Sequence, residues 1–291
     1  MISKLKKLLI LILLLYIITI TLLYKNNIFN IIYNTLNIWL FKIFPPIFIF
    51  YCITSLLISS KTIDIIFFIL KPLRKIFKFE TDNGFKLFII AILVGNPSSS
   101  AFIISYLNND NITLNDANTL NKCSSFITPL FIYTILPNIK IFLIIYSIHI
   151  LSNIIICIYL TRNNSTFIKK TNPKVINFFD YINKLPQILF NIAIFMIICN
   201  IIIYSLSLNN INPLYISFIE IGNGTINIMN SNLEYKYIII TSLLSFNGLC
   251  IHLQVYSIIK DSLSYLSFLK YRIIQTIISI LLFLLINAYF T

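Results

Sequence analysis

An all-α, polytopic membrane protein with broken helices is the fold class this sequence predicts, and three observations predict it. Of its 291 residues 58% are hydrophobic and 11% charged, with a mean hydropathy of +0.89. A water-soluble globule made from such a chain would lack the polar surface to cover itself. Apolar runs long enough to span about 30 Å of hydrocarbon, at about 1.5 Å per helical residue, recur along the chain. Glycine is rare, five in all, and four of them, Gly95, Gly222, Gly224 and Gly248, interrupt segments otherwise apolar enough to cross. Such breaks free backbone N–H and C=O groups that hydrocarbon cannot satisfy, so they persist only where protein or a polar cavity covers them.

Taken in order, the first apolar run follows Lys4, Lys6 and Lys7 and passes Leu23 without a small-residue cleavage site. Residues 1–24 therefore read as an uncleaved anchor helix rather than a signal peptide. Crossings are expected near residues 8–24, 43–59, 139–161, 186–208, 237–259 and 273–290. Residues 84–107 and 124–137 are apolar but broken and 214–230 is short, the pattern of half-helices or re-entrant hairpins. Ile63, Ile66, Phe67, Leu70 and Phe77 follow helical spacing while Lys71, Arg74, Lys75 and Lys78 hold another face. That is a basic amphipathic helix for the headgroup region, an anchor or a lipid sensor, kinked or divided at Pro72. The polar stretch 162–185, with Pro173, is the natural boundary between a first half, 25–161, and a second, 186–291.

The net charge of +13 sits in short clusters between apolar runs. That distribution suits membrane topology and anionic lipid headgroups and speaks against nucleic acid. The positive-inside rule places the clusters 4–7, 61–78, 162–184 and 260–272 in the cytoplasm, the N-terminus included. One path satisfies all four. The first two crossings return the chain inside before Lys61, residues 84–107 cross outward, 124–137 dips, and 139–161 comes back. In the second half 186–208 goes out, 214–230 dips, 237–259 returns and the last helix ends outside. Lys25 and Lys42 fit the outer loops of this path poorly. The five cysteines are odd in number and lack CxxC spacing, so they read as small core residues rather than metal ligands or disulfides. HExxH, a nucleophile elbow, a phosphate-binding glycine loop and a close carboxylate pair are all missing, so neither catalysis nor a cofactor is expected.

The breaks themselves carry the candidate site residues. In Val94-Gly95-Asn96-Pro97-Ser98-Ser99-Ser100-Ala101, Pro97 ends one helix and Ser98 can cap the next. Asn96, Ser98, Ser99 and Ser100 beside free N–H groups suit a polar or anionic group of a solute, and equally let helices pack closely. A second break falls at Thr128-Pro129. Glu220, ahead of Gly222-Asn223-Gly224, is the carboxylate inside an apolar segment, expensive to bury unless it is paired. It can bind a coupling cation, accept a proton or hold a solute hydroxyl; alternatively it solvates a hairpin tip near the outer headgroups. Around Gly248, Asn247, His252 and Gln254 offer donors and acceptors for a neutral polar solute, whereas His149 lacks an adjacent break and Asn153 and Asn200 read as interhelical hydrogen-bond partners. Gly95-Asn96-Pro97-Ser98 is echoed by Gly222-Asn223-Gly224-Thr225, and in each half a further break follows, an order that points to a duplicated unit.

Six motifs in order carry a family resemblance. Phe44-Pro45-Pro46 with its apolar run, Lys71-Pro72-Leu73-Arg74-Lys75-Ile76-Phe77 and the VGNPSSSA break resemble an FP-containing helix, a PLxRxxF segment and an SGYPxGA break. Thr113 to Lys122 with Thr128-Pro129-Leu130-Phe131-Ile132, Glu220 with Gly222 and Gly224, and FNGLCIHLQV resemble an acidic helix followed by GPxFI, an E-xx-G element and FGGLSVHMQV. These are features of the sporulation integral membrane proteins of the nucleoside-recognition, or Gate, domain family, and the resemblance covers roughly residues 36–290 by order of features rather than by identity. Asn96, Ser99, Thr128 and Asn247 replace family glycines and an aromatic, which implies either a different solute or a decayed site. The resemblance implies a membrane protein of endospore-forming bacteria with two Gate-like repeats, inverted or parallel, similar to those of concentrative nucleoside transporters. The expected function is binding or transport of a small polar solute, nucleoside-like or other, between the repeats; the alternative is a non-transporting scaffold of the spore envelope. Expected partners are membrane lipids, the solute with a coupling ion, and further copies of the chain or other spore membrane proteins.

Overall fold

The structure, a computed structural model, describes residues 11, 15–136, 138–164, 176–209 and 211–290. The basic start of the expected anchor, residues 1–10, and residues 165–175 of the expected linker, Pro173 among them, lie outside the described residues. Helices and short connections make up the described chain, with no strand among the described residues.

Helix α1 covers residues 15–23 and meets α2 (Lys25–Ile38) at Tyr24. A π-helical segment, Trp39–Ile43, joins α2 to α3 (Phe44–Ser59), so residues 25–59 form one helical rod rather than a loop and a crossing. Residues 25–42 contain Asn and Lys but neither glycine nor proline, and the helix continues through them. Pro45 sits in the first turn of α3, where a missing N–H is tolerated, and the widened π turn lies directly before it.

The amphipathic segment divides as expected: α4 (Ile63–Leu70) passes into a 3-10 turn, Lys71–Lys75, with Pro72 at its start. Phe77 and Phe79 then turn inward against Phe85 and Phe88. Helices α5 (Asp82–Val94) and α6 (Ser98–Asn108) form a hairpin. Its two ends meet, because Asn83 Nδ2 donates to the Asn111 carbonyl at 3.0 Å. Residues 84–107 therefore return to the end from which they set out, and the outward crossing expected for them is corrected. The turn at Gly95–Pro97 reverses the chain rather than kinking it.

Reciprocal caps hold the open end of this hairpin to α7 (Leu114–Cys123). Thr81 accepts from Gly84 N at 3.0 Å and its hydroxyl donates to Asp116 Oδ2 at 2.6 Å; Thr113 accepts from Asp116 N at 3.2 Å and donates to Glu80 Oε2 at 2.8 Å. Asp116 also takes the N–H groups of Glu80 and Thr81, each at 2.8 Å. Each helix N-terminus is thus neutralised by a carboxylate from its neighbour's cap, where the macrodipole favours it. Beyond α7 come an extended stretch, residues 124–128, then α8 (Pro129–Ile135) and α9 (Ile139–Thr161).

The second half runs α10 (Phe178–Ile182), α11 (Leu185–Ser207), α12 (Pro213–Ile216), α13 (Ile221–Met229), α14 (Lys236–Phe246), α15 (Gly248–Ile259) and α16 (Tyr265–Phe290). Helix α16 begins eight residues earlier than expected and carries Arg272, assigned above to a cytoplasmic turn, into the interior at 0% exposure. Among the described residues, five helical stretches are long and apolar enough to cross a membrane: Lys25–Ser59, Ile139–Thr161, Phe178–Ser207, Lys236–Ile259 and Tyr265–Ile286. On α9 the polar face turns inward. His149, Ser152 and Asn153 are buried while Leu143, Leu151 and Ile155 are exposed, the distribution a lipid-facing helix requires.

Two of the basic clusters come to one end of the molecule, where Lys78 Nζ donates to the Arg162 carbonyl at 3.2 Å and Asn164 Nδ2 to the Lys78 carbonyl at 2.9 Å. At the start of α11, Lys184 Nζ donates to Ser105 Oγ at 3.3 Å, near the open end of the α5–α6 hairpin, and toward the far end of α11 Asn27 Nδ2 donates to Tyr204 Oη at 2.7 Å. Truncating Asp116 to alanine strands three donors of the capped hairpin, and is expected to lower unfolding free energy by about 3 kcal/mol, read from denaturant unfolding in detergent.

Candidate functional site

At the hairpin tip the chain turns at Gly95, whose φ of +66° and position allow nothing larger: an added Cβ would stand 2.7 Å from Thr128 N. Asn96 follows, and its N–H and both ends of its side-chain amide are engaged. Its N–H donates to the Phe126 carbonyl at 2.7 Å and its Nδ2 to Ser125 Oγ at 2.5 Å, while Oδ1 accepts from Ser99 Oγ at 2.6 Å and Ser100 Oγ at 3.1 Å. Ser99 and Ser100 are therefore turned toward the Asn96 amide, and Ser98 is buried with a hydroxyl that finds no partner.

The extended stretch 124–128 is the counterpart of that tip. Ser125 Oγ accepts a second hydrogen bond from Asn247 Nδ2, which reaches across from the other half. Asn247 adopts a left-handed conformation, φ +76°, closing α14 just before Gly248 opens α15. One hydroxyl thus ties together the breaks of both halves. Around it, Asn153 Nδ2 donates to the Ser125 carbonyl at 3.2 Å, and His149 Nε2 accepts from Ile127 N at 3.2 Å. His149 thus meets backbone at Nε2, and the Gln275 side-chain amide lies 3.4 Å from its Nδ1.

Glu220 is 2% exposed and caps α13, its carboxylate accepting from Gly222 N at 2.8 Å and Asn223 N at 2.7 Å. Gly222 and Gly224 lie in the first turn of α13, and the irregular backbone precedes them, at Phe218 to Glu220. Gly224 packs against that backbone so closely that a Cβ would come 2.3 Å from the Ser217 carbonyl oxygen. The carbonyls of Phe218 and Ile219 in turn accept from Leu249 N at 2.9 Å and Cys250 N at 2.8 Å, the free N–H groups that open α15.

Between these breaks lies a cavity of about 50 Å³. Its polar lining comes from both halves: Asn96 and Thr128 from the first, Glu220 and Gln254 from the second. Pro97, Ile127, Phe131, Met196 and Ile251 supply apolar wall. At about 10–15 Å³ per water, the space admits a few water molecules or a solute of that size. No protein-family model, curated protein or solved structure matches this chain, so the reading of the cavity rests on its geometry.

Other expected site residues lie elsewhere. Asn223 donates through Nδ2 to Asn200 Oδ1 at 3.0 Å and lines a separate groove with Ser207, Gly224 and Asn227. His252 lies outside the cavity lining, its Nε2 at 2.8 Å from the Phe246 carbonyl and Nδ1 at 3.1 Å from Tyr265 Oη, packed among the rings of Phe246 and Phe268. Pro129 starts α8. Asn153 and Asn200, expected to bond between helices, do so: Asn153 Oδ1 accepts from Arg272 Nη1 of α16 at 3.5 Å and Asn200 Oδ1 accepts from Asn223 of α13. Ser125, Arg272 and Gln275 escaped the sequence reading. Their signal was present in Ser124-Ser125, with Pro129 four residues beyond Ser125, and in two polar residues three apart on one face of an apolar run.

If Ser125 couples the two halves, the single variants Asn96→Ala and Asn247→Ala should not add. A double-mutant cycle on thermal unfolding is expected to give an interaction energy on the order of 1–2 kcal/mol.

Proposed function

We propose that this chain is an integral membrane protein that binds a small polar solute at the cavity between its halves and moves it across the bilayer. The observation that carries the reading is the convergence of Asn96, Thr128, Glu220 and Gln254, contributed by both halves at or beside their helix breaks, on one cavity. Broken helices meeting at mid-depth are the arrangement from which secondary transporters build their sites. Helix-end dipoles and free backbone groups replace the solute's water there.

The element order supports a duplicated, Gate-like unit. In the first half a hairpin, α5–α6, precedes a broken helix, α7–α8, and an unbroken one, α9; in the second, α12–α13 precedes a broken helix, α14–α15, and the unbroken α16. The first hairpin opens beside Thr113 and Asp116, whereas the second is entered from the end of α11 marked by Tyr204 and Asn27. Opposite entry favours an inverted rather than a parallel pair of re-entrant hairpins, one half rocking against the other about the cavity. A positive-inside orientation puts the Lys78 and Arg162 end in the cytoplasm. Spore development, as the setting, rests on the six sequence motifs. The cavity as it stands is too small for a nucleoside, so a solute of that size requires the halves to part.

Melting of the purified protein against nucleosides, amino acids and ions should single out the ligand, because a solute that binds the folded state raises the melting temperature. Glu220→Gln keeps the size of the side chain and removes its charge. It is expected to abolish uptake of that ligand into proteoliposomes while the protein stays inserted. Unchanged uptake, together with loss of co-purifying membrane proteins, would instead select the scaffold reading.

A further inference from the structure

Arg272 is among the largest fully buried side chains, and a guanidinium carries its proton at neutral pH. A full positive charge therefore lies inside the protein. Among the described residues no carboxylate comes within ion-pair distance of it; the ion pairs formed are Arg74 with Asp82 and Lys86 with Asp64. Oxygens meet its two terminal nitrogens instead, while its Nε is buried without a partner among the described residues. Nη2 donates to the Lys122 carbonyl, and Nη1 reaches the Ser125 carbonyl at 3.4 Å, Asn153 Oδ1 at 3.5 Å and Gln275 Oε1. The Phe268 ring lies 5.3 Å from the guanidinium carbon.

All four oxygens are neutral, and their origin is informative. The Lys122 carbonyl belongs to the last turn of α7 and that of Ser125 to the unwound stretch beyond it, where carbonyls lack intrahelical partners and the negative end of the helix dipole lies. Two side-chain amides complete the set. Half-helix C-termini with unwound carbonyls are the donors by which transporters of broken-helix design hold a monovalent cation. Here the same kind of donor set closes around a side chain.

We propose that Arg272 is a tethered cation: its guanidinium permanently fills an oxygen cage suited to a monovalent ion, and fixes the break between α7 and α8 without a dissolved one. The charge sits one residue's backbone from Ser125 Oγ, the hydroxyl to which Asn96 and Asn247 both donate. Anchoring the Ser125 carbonyl therefore also holds the junction of the two halves, and no exchangeable Na⁺ or K⁺ can occupy that cage. The cage stands independently of any solute at the cavity, and testing it needs no solute.

Thermal unfolding of the full chain in detergent, with sodium, potassium or guanidinium chloride at millimolar concentration exchanged for choline chloride at constant ionic strength, decides it. The native protein is expected to melt at the same temperature in every salt. Arg272→Ala should melt lower in choline and recover saturably with guanidinium by on the order of 3 °C or more, while Arg272→Lys falls between the two and ignores the salt. A saturable response of the native protein to Na⁺ or K⁺, or an Arg272→Met variant as stable as native, overturns the proposal, because the first shows an open cation site and the second a packing role alone. Absence of guanidinium recovery in a folded Arg272→Ala overturns it as well. Should Arg272→Ala fail to fold, the native salt response and the order of the Lys and Met variants decide: Lys above Met supports the proposal, and Met at or above Lys refutes it.

Discussion

Backbone that leaves the helix inside an apolar chain must find its hydrogen bonds within the protein, and this constraint organises the molecule. Each break supplies what another lacks. The N–H of Asn96 meets the carbonyl of Phe126, and the N–H groups of Leu249 and Cys250 meet the carbonyls of Phe218 and Ile219. Side chains satisfy much of what remains, with Glu220 capping α13 and Ser125 Oγ receiving both Asn96 and Asn247. None of these irregular segments could stand alone in hydrocarbon, so their meeting is the condition for the fold.

The same constraint explains why many polar side chains lie in the interior beside the apolar core, while apolar ones face outward. His149, Ser152, Asn153, Arg272 and Gln275 are all buried, while leucine and isoleucine face outward on α9 and α16. Between helices in lipid there is little hydrophobic drive, and close packing with buried hydrogen bonds does the joining. The central cavity is what remains between breaks that satisfy one another almost completely. That accounts for its small volume and for a lining divided evenly between the halves.

Much of this was legible in advance. The span 139–161 coincides with α9, the division at Pro72 appears as the change from α4 to a 3-10 turn, and the irregular backbone falls at Gly95–Pro97, at Thr128 and at Asn247–Gly248. The direction of the chain after a break was not legible. A glycine and a proline announce that a helix stops, but whether the next one continues or folds back depends on what holds the ends. For residues 84–107 that is the Thr81, Asp116, Thr113 and Glu80 exchange, made between residues more than thirty apart. Ser99, Ser100, Asn223 and His252 likewise carry the right chemistry for a solute, yet each is occupied by a neighbour: Asn96, Asn200 or the Phe246 carbonyl.

From the sequence alone came the helical class, the apolar spans and the places where helices fail, because hydropathy, helix period and the conformational limits of glycine and proline are local properties. The tertiary structure alone decided that residues 84–107 double back, that Asn96 and Asn247 share Ser125, and that a guanidinium sits among four neutral oxygens. Hydrogen-bond partners in a buried interior are chosen by three-dimensional proximity, and a donor's residue type says only that it needs a partner, not which one it will find.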